Sequence, residues 1–123
     1  AEFYQIPEYQ NMQTRFIAGV FWEYVGRYFR LNGLFRDRVI DRAKQNLLHK
    51  YEAFGLKERF EESARRLASC LNVEPAWPEK RHKVTPERPS VEELDEEVRH
   101  SLRKSNALDV RLYDFACTHF ERQ

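Results

Sequence analysis

The chain has 123 residues, 41% of them hydrophobic, which is enough for one domain with a modest buried core. Its formal charge is +1, with 21 basic and 20 acidic residues mixed along the sequence. This mixing argues against the broad positive surface that holds a nucleic-acid backbone. Nine Phe, six Tyr and two Trp stand against four Gly, a balance that predicts a mainly α fold.

The first part of the chain is predicted to contain two helices. Residues 1–11 show no period and are expected to be extended. Over residues 13–29 the apolar side chains follow helical spacing and nearly surround the axis. Asn32 and Gly33 form a stop signal. A second helix is predicted over residues 38–51, and its apolar side consists of Ile40, Ala43, Leu47 and Tyr51.

The middle of the chain is predicted to hold a connection, a third helix and a loop. Residues 52–56 are short and apolar with one glycine, which fits either a brief strand or a buried connection. The helix expected within residues 54–72 carries one apolar stripe, made of Leu56, Phe60, Ala64, Leu67, Ala68 and Leu71. Residues 73–89 hold four prolines and are predicted to form a surface loop.

Two further helices are predicted for residues 90–123. Ser90 and Glu93 have capping-box spacing, and the stripe that follows them consists of Val91, Leu94, Val98 and Leu102. Asn106 is the predicted N-cap of the last helix. The chain is therefore expected to be a single domain: helices and a short strand over 1–72, a basic, proline-rich loop over 73–89, and two helices over 90–123.

The two cysteines and the four histidines do not form a recognisable chemical site. Cys70 and Cys117 each lie on the apolar side of a predicted helix, so we favour buried free thiols over a disulfide. The histidines lack the HxxxH or HExxH spacing of a metal site, and no P-loop, G-x-S-x-G or dinucleotide glycine fingerprint occurs. We assign no catalytic residue and no metal ligand.

Two stretches are candidates for binding a ligand. Lys80, Arg81 and Lys83 place three cations in one loop, an arrangement that suits a phosphate or sulfate group, although a solvated linker is the favoured alternative. Gln13 and Arg15 stand at the start of an apolar helix, where polar groups could meet a ligand. The alternative there is an ordinary helix start.

Four stretches, taken in order, resemble the C-terminal half of the Golgi-type and bacterial sulfotransferases that use 3′-phosphoadenylyl sulfate (PAPS). They cover residues 11–19, 41–71, 90–109 and 110–123. The second matches the family's run of helix, short strand ending in Phe-Gly-Leu, and Glu-Arg-Phe-Glu-Glu-Ser, here residues 54–56 and 58–63. The last two match its closing pattern at Asn106, Leu108, Asp109, Leu112, Tyr113, Phe115 and Ala116.

The resemblance implies that this chain is the helical C-terminal part of an α/β, P-loop-like sulfotransferase fold. In that family the donor's phosphosulfate is held by a strand, a loop and a helix N-terminus that are not among these residues. By resemblance, Gln13 and Arg15 are expected to edge the PAPS cleft, and Lys80, Arg81 and Lys83 to approach an anionic substrate. A eukaryotic carbohydrate sulfotransferase would lie in the Golgi lumen.

Two interpretations follow from the resemblance. In the first, the chain transfers a sulfuryl group from PAPS to a hydroxyl when it is joined to its missing N-terminal half. In the second, it is a non-catalytic subunit of a larger assembly built from a truncated form of the fold. Both interpretations predict that another chain, or the missing half, packs against the predicted helix over residues 13–29. Neighbouring residues on a helix point about 100° from each other, so its apolar side chains cannot all face one core. The apolar residues that require this cover are Phe16, Phe21, Trp22, Val25, Tyr28 and Phe29.

Overall fold

The computed structural model of the chain describes residues 9–20, 33–75 and 90–121. Of these residues 76% are helical and none lies in a strand, which confirms the prediction of a mainly α fold. These ranges contain five α-helices: α1 Met12–Ala18, α2 Gly33–His49, α3 Phe60–Cys70, α4 Glu96–Ser105 and α5 Ala107–Phe120. Single turns of 3₁₀ helix, Lys57–Arg59 and Val91–Glu93, precede α3 and α4.

Helix α1 is much shorter than its sequence pattern suggests. Gly19 takes the left-handed conformation with φ 70°, and its N–H bonds to the carbonyls of Arg15 and Phe16. Val20 donates its N–H to the Arg15 carbonyl as well. These bonds satisfy the last carbonyls of the helix and end it. The prediction of one continuous helix over residues 13–29 is therefore wrong, because the helix ends at Ala18. Residues 21–29 lie outside the described residues.

Helix α2 begins at Gly33, five residues earlier than predicted. The stop signal predicted at Asn32 and Gly33 concerns a stretch whose residues 21–32 lie outside the described residues. Its buried side chains recur every three or four residues and include the predicted Ile40, Ala43 and Leu47. The predicted Tyr51 lies beyond the helix end and is 42% exposed. The position of the apolar stripe was predictable, whereas both ends of the helix were not.

The connection after α2 contains no strand, and of residues 52–56 only Leu56 is buried, so the strand alternative is wrong and the buried connection is found only at Leu56. Leu56 has an extended backbone and is buried. In α3, Ala68 is buried as well, but Phe60, Leu67 and Leu71 of the predicted stripe are exposed. Cys70 is also exposed, which corrects the prediction that its thiol is buried; Cys117 is half-buried, and neither thiol forms a disulfide.

The capping box of Ser90 and Glu93 is present, but it caps the 3₁₀ turn Val91–Glu93 and not an α-helix. The backbone is extended at Leu94 and at Asp95, which is the N-cap of α4. The predicted continuous helix from residue 90 is thus interrupted. Asn106 does stand at the N-cap position of α5, as predicted.

The core lies where α1, α2 and α5 pack against one another. Helix α5 buries one side chain per turn toward this core, at residues 108, 112, 116 and 120, each four positions after the one before. No described helix combines the length and the hydropathy needed to cross a bilayer. The fully or nearly buried core residues are Ala18, Val39, Ile40, Ala43, Leu47, Leu56, Leu108, Leu112, Ala116 and Phe120.

Candidate functional site

Helices α1 and α5 begin side by side, and side chains from each helix start bond to the first turn of the other. The first N–H groups of a helix have no intrahelical acceptor and need one from elsewhere. Here four residues, Asn11, Thr14, Asn106 and Asp109, supply acceptors and donors across the contact. We call these four residues the helix-start junction.

Asn11 caps α5 from the other end of the sequence. Its Oδ1 accepts hydrogen bonds from the N–H groups of Leu108 (2.8 Å) and Asp109 (3.3 Å). Its Nδ2 donates to the carbonyl of Ser105 at 3.1 Å. An N-cap side chain ordinarily provides such bonds to its own helix. In this chain a residue 97 positions away from Leu108 provides them.

Asp109 caps α1 in return. Its Oδ1 accepts from the Thr14 N–H at 2.8 Å and from the Thr14 hydroxyl at 2.6 Å. Its Oδ2 accepts from the N–H of Gln13 at 3.3 Å. A carboxylate at this position also interacts favourably with the positive end of the helix dipole. The two helix starts therefore cap each other reciprocally.

Asn106 completes the junction without capping its own helix. Its Oδ1 accepts from the backbone N–H of Asn11 at 3.0 Å, and its Nδ2 donates to the carbonyl of Leu102 at 3.0 Å. Asn11 is 1% exposed and has a left-handed backbone (φ 51°, ψ 40°), which asparagine tolerates better than most residues. These hydrogen bonds hold the starts of the two helices together.

The residues expected to edge a donor cleft lie next to the junction. The side chain of Gln13 is exposed. Arg15 is only 4% exposed, and its Nη1 donates to the carbonyl of Gln10 at 3.2 Å. Their contact with a donor stays a prediction. Lys80, Arg81 and Lys83, the predicted anion-binding residues, lie outside the described residues.

A second polar cluster joins the start of α3 to the end of α5, and sequence reasoning did not find it. Arg59 and Arg66 both bond to Glu62, at 2.8 and 2.7 Å. Both guanidinium groups also lie over the ring of Phe120, with their central carbons 4.8 and 4.0 Å from its centroid. Arg66 donates to the Phe120 carbonyl, and Arg59 pairs with Glu121. The spacing 59, 62 and 66 was the available signal for the Arg–Glu part of the cluster.

Two titratable side chains of α5, Tyr113 and His119, make contacts with nearby residues. The Tyr113 hydroxyl donates to Glu58 at 2.9 Å. The His119 ring stacks on Phe115 at 4.0 Å, and its Nδ1 lies 2.9 Å from the Phe115 carbonyl. Among the described residues, no group of three His, Cys, Asp or Glu is arranged to hold a metal ion.

Tyr113 gives a testable pH dependence. The Cys117 side chain one turn later, and the hydrogen bond with the Glu58 carboxylate, raise the pKa of its hydroxyl above the ordinary value. The stabilising contribution is therefore full below the unfolded-state pKa of about 10 and is lost as the pH rises through the folded-state pKa. Absorbance at 295 nm, measured as wild type minus Tyr113→Phe, should give a transition above pH ~10.

Cys117→Ala should move that transition to lower pH, because it removes the larger of the two causes. A Tyr113 transition at or below pH ~10 in the wild-type chain would contradict the contact.

Comparisons of the chain with protein-family models, with characterised proteins and with solved structures find no match.

Proposed function

We propose that this chain is the C-terminal, mainly helical part of a sulfotransferase, which transfers a sulfuryl group from PAPS to a hydroxyl acceptor when joined to a donor-binding half. The observation that supports this most is the helix-start junction. Asn11 and Thr14 come from the first stretch that resembles the family, and Asn106 and Asp109 from the third. Bonds between residues 95 positions apart are expected if the matched stretches belong to one folding unit.

The second matched stretch also has a structural role at its most distinctive residues. The Ser63 hydroxyl accepts from the Leu56 N–H at 2.9 Å and donates to the Leu56 carbonyl at 3.1 Å. A Cβ on Gly55 would lie 2.7 Å from the Cβ of Ser63, so only glycine allows this approach without a shift. Matched residues that position helices agree with the scaffold role that the resemblance implies for this half.

The helix starts of α1 and α5 are not open to a donor phosphate. Helix N-termini bind phosphate through free N–H groups and a favourable dipole. In α1 the N–H groups of Gln13 and Thr14 bond to Asp109, and in α5 those of Leu108 and Asp109 bond to Asn11. The proposal therefore assigns donor binding to the other half of the enzyme.

We expect the isolated chain to bind 3′-phosphoadenosine 5′-phosphate, the desulfated donor, more weakly than about 10 μM, which corresponds to roughly 7 kcal/mol of binding. Isothermal titration calorimetry measures this affinity directly. A tighter complex would mean that the chain contains a donor site of its own.

Activity is tested on the native polypeptide that contains these residues, isolated from its source. Radiolabelled PAPS is supplied with hydroxyl-bearing carbohydrate acceptors, and label transfer is measured. We expect transfer together with a native mass well above the 14.9 kDa of this chain. A polypeptide that binds the donor but transfers no label, or one that does neither, contradicts the enzyme proposal.

A non-catalytic subunit of a larger assembly is the second candidate function, and the exposure of α1 favours it. Phe16 is 80% exposed and Met12, one turn earlier, is 46% exposed. The other residues expected on this surface, Phe21, Trp22, Val25, Tyr28 and Phe29, lie outside the described residues. A native mass near 14.9 kDa in a stable complex would support this candidate.

The exposed apolar surface of α1 predicts self-association of the isolated chain. Phe16→Glu should reduce association in sedimentation velocity and raise solubility without changing the helical circular dichroism spectrum. Val91→Glu, at a residue that is 60% exposed and not part of α1, is the matched control and should leave association unchanged. A monodisperse wild-type monomer at about 100 μM would contradict the prediction.

A further inference from the structure

A polar hollow of about 370 Å³ lies between α2 and α5. Lys44 of α2 lines one side of it, and residues 111, 114, 115, 118 and 119 of α5 line the rest. None of these residues belongs to the helix-start junction or to the cluster around Glu62. The volume is at the lower end of the range for small-molecule sites and suits a ligand the size of one sugar.

The cations of the hollow lie at Lys44 and Arg111. Lys44 is half-buried, and its Nζ is 5.3 Å from the centroid of the Phe115 ring. Among the described residues it forms no ion pair. An aromatic ring attracts an ammonium group without neutralising it, so the charge of Lys44 remains available to an anion. Arg111 pairs with Asp37 at 3.3 Å through Nη1 alone, one of the nitrogens that carry its five N–H donors.

The rest of the hollow offers hydrogen-bond acceptors. The Nδ1 of His119 lies 2.9 Å from the Phe115 carbonyl, which can only accept, so Nδ1 carries the hydrogen and Nε2 is the acceptor of a neutral ring. The Thr118 hydroxyl donates to the Asp114 carbonyl at 3.0 Å, which leaves its oxygen to accept. The Asp114 carboxylate forms no ion pair within the described residues. The hollow therefore combines a cationic side with an acceptor side.

We propose that this hollow binds a small sugar that carries a sulfate or phosphate ester. The ester oxygens accept from the Lys44 ammonium and from the remaining N–H groups of Arg111. The sugar hydroxyls donate to Asp114, Thr118 and His119. A free anion would use only the cations and would be repelled by Asp114, and a neutral sugar would use only the acceptors. The inference rests on these side chains and does not depend on sulfuryl transfer.

The test titrates the whole chain with glucose 6-sulfate and glucose 6-phosphate, and separately with glucose and with inorganic phosphate. Isothermal titration calorimetry measures the affinity, and changes in the NMR signals of backbone amides locate the site. We expect one or both esters to bind with a dissociation constant below about 1 mM and to shift the amides near residues 44 and 114–119. Glucose and inorganic phosphate should each bind at least about fivefold more weakly, because each engages only one side of the hollow. The ester that binds more tightly identifies the anion.

Variants separate the two sides of the hollow. Lys44→Gln removes the charge and should weaken ester binding at least about fivefold, whereas Lys104→Gln, the same change at an exposed lysine of α4, should alter it less than about twofold. Asp114→Ala should weaken ester binding but strengthen that of inorganic phosphate, because it removes a hydroxyl acceptor and a negative charge together. Circular dichroism checks that each variant keeps its helices. Absence of ester binding at about 10 mM, equal binding of inorganic phosphate (an adventitious ion only), or unchanged affinity in Lys44→Gln would each overturn the proposal.

Discussion

Replacing Asn11 with alanine should lower the free energy of unfolding by about 3 kcal/mol. The substitution removes the Oδ1 that accepts from Leu108 and Asp109 and the Nδ2 that bonds to Ser105. Loss of a cap alone costs about 1 kcal/mol, and a buried N–H left without an acceptor costs about 1–3 kcal/mol. The Leu108 bond is fully buried, so water cannot replace it. Urea denaturation followed by circular dichroism measures the change.

Asn72 is the matched control for the backbone part of this effect. It has nearly the same left-handed φ, 52° against 51° at Asn11, but it is exposed and its side chain makes no hydrogen bond within the described residues. Asn72→Ala should therefore report the cost of placing alanine in that conformation, about 1 kcal/mol. Asn11→Gly removes the side chain and relieves the strain, so it should remain destabilising while Asn72→Gly is nearly neutral. Equal effects of alanine at the two positions would show that the junction contributes nothing beyond backbone conformation.

Apolar periodicity found the interior faces of the helices better than it found their ends. Residues 40, 43 and 47 face the core because a helix brings residues three or four apart onto one side, a local property that the sequence carries. The end of α1 depended instead on Gly19 adopting a left-handed conformation. A glycine in a helical pattern is compatible with continuation or with termination. The surrounding apolar residues favoured continuation, and the prediction was wrong for that reason.

The helix-start junction could be predicted only in part. The rule that places an asparagine at an N-cap is local, and it located Asn106 correctly. It could not show that Asn106 bonds to the Asn11 backbone and leaves the capping of α5 to Asn11. Capping across the fold depends on tertiary packing, which a single sequence does not contain. The residue types were visible, whereas their partners were not.

In helix α3 as well, the sequence predicted the apolar positions but not the residues that contact them. Its stripe is regular, and the sequence predicted it, but Phe60, Leu67 and Leu71 are exposed. Periodicity indicates that a face is apolar without showing what covers it. Gly55 is a second example. The sequence predicted a brief strand or a buried connection around it, whereas the structure uses its missing Cβ for a close contact with Ser63.

Truncation of Phe120 is expected to have the largest effect of any single substitution considered for this chain. Its side chain is fully buried at the last position of α5, and its ring lies 6.1 Å from that of Phe54. The ring also contacts the guanidinium groups of Arg59 and Arg66, whose positions are fixed by their shared partner Glu62. Phe120→Ala removes a large buried side chain and should cost about 3–5 kcal/mol.

Phe120→Leu separates packing from the interaction of the ring with the two cations. Leucine retains most of the apolar contact but offers no aromatic face. Phe120→Leu should therefore lower the free energy of unfolding by about 1 kcal/mol more than the loss of packing alone would. Phe60→Ala, at a phenylalanine that is 59% exposed, is the control for general loss of an aromatic residue and should cost much less. The three variants are compared by thermal and urea denaturation. A cost below about 1 kcal/mol for Phe120→Ala would contradict docking of the last turn of α5 onto α3, because a fully buried phenylalanine cannot be removed so cheaply from a packed core.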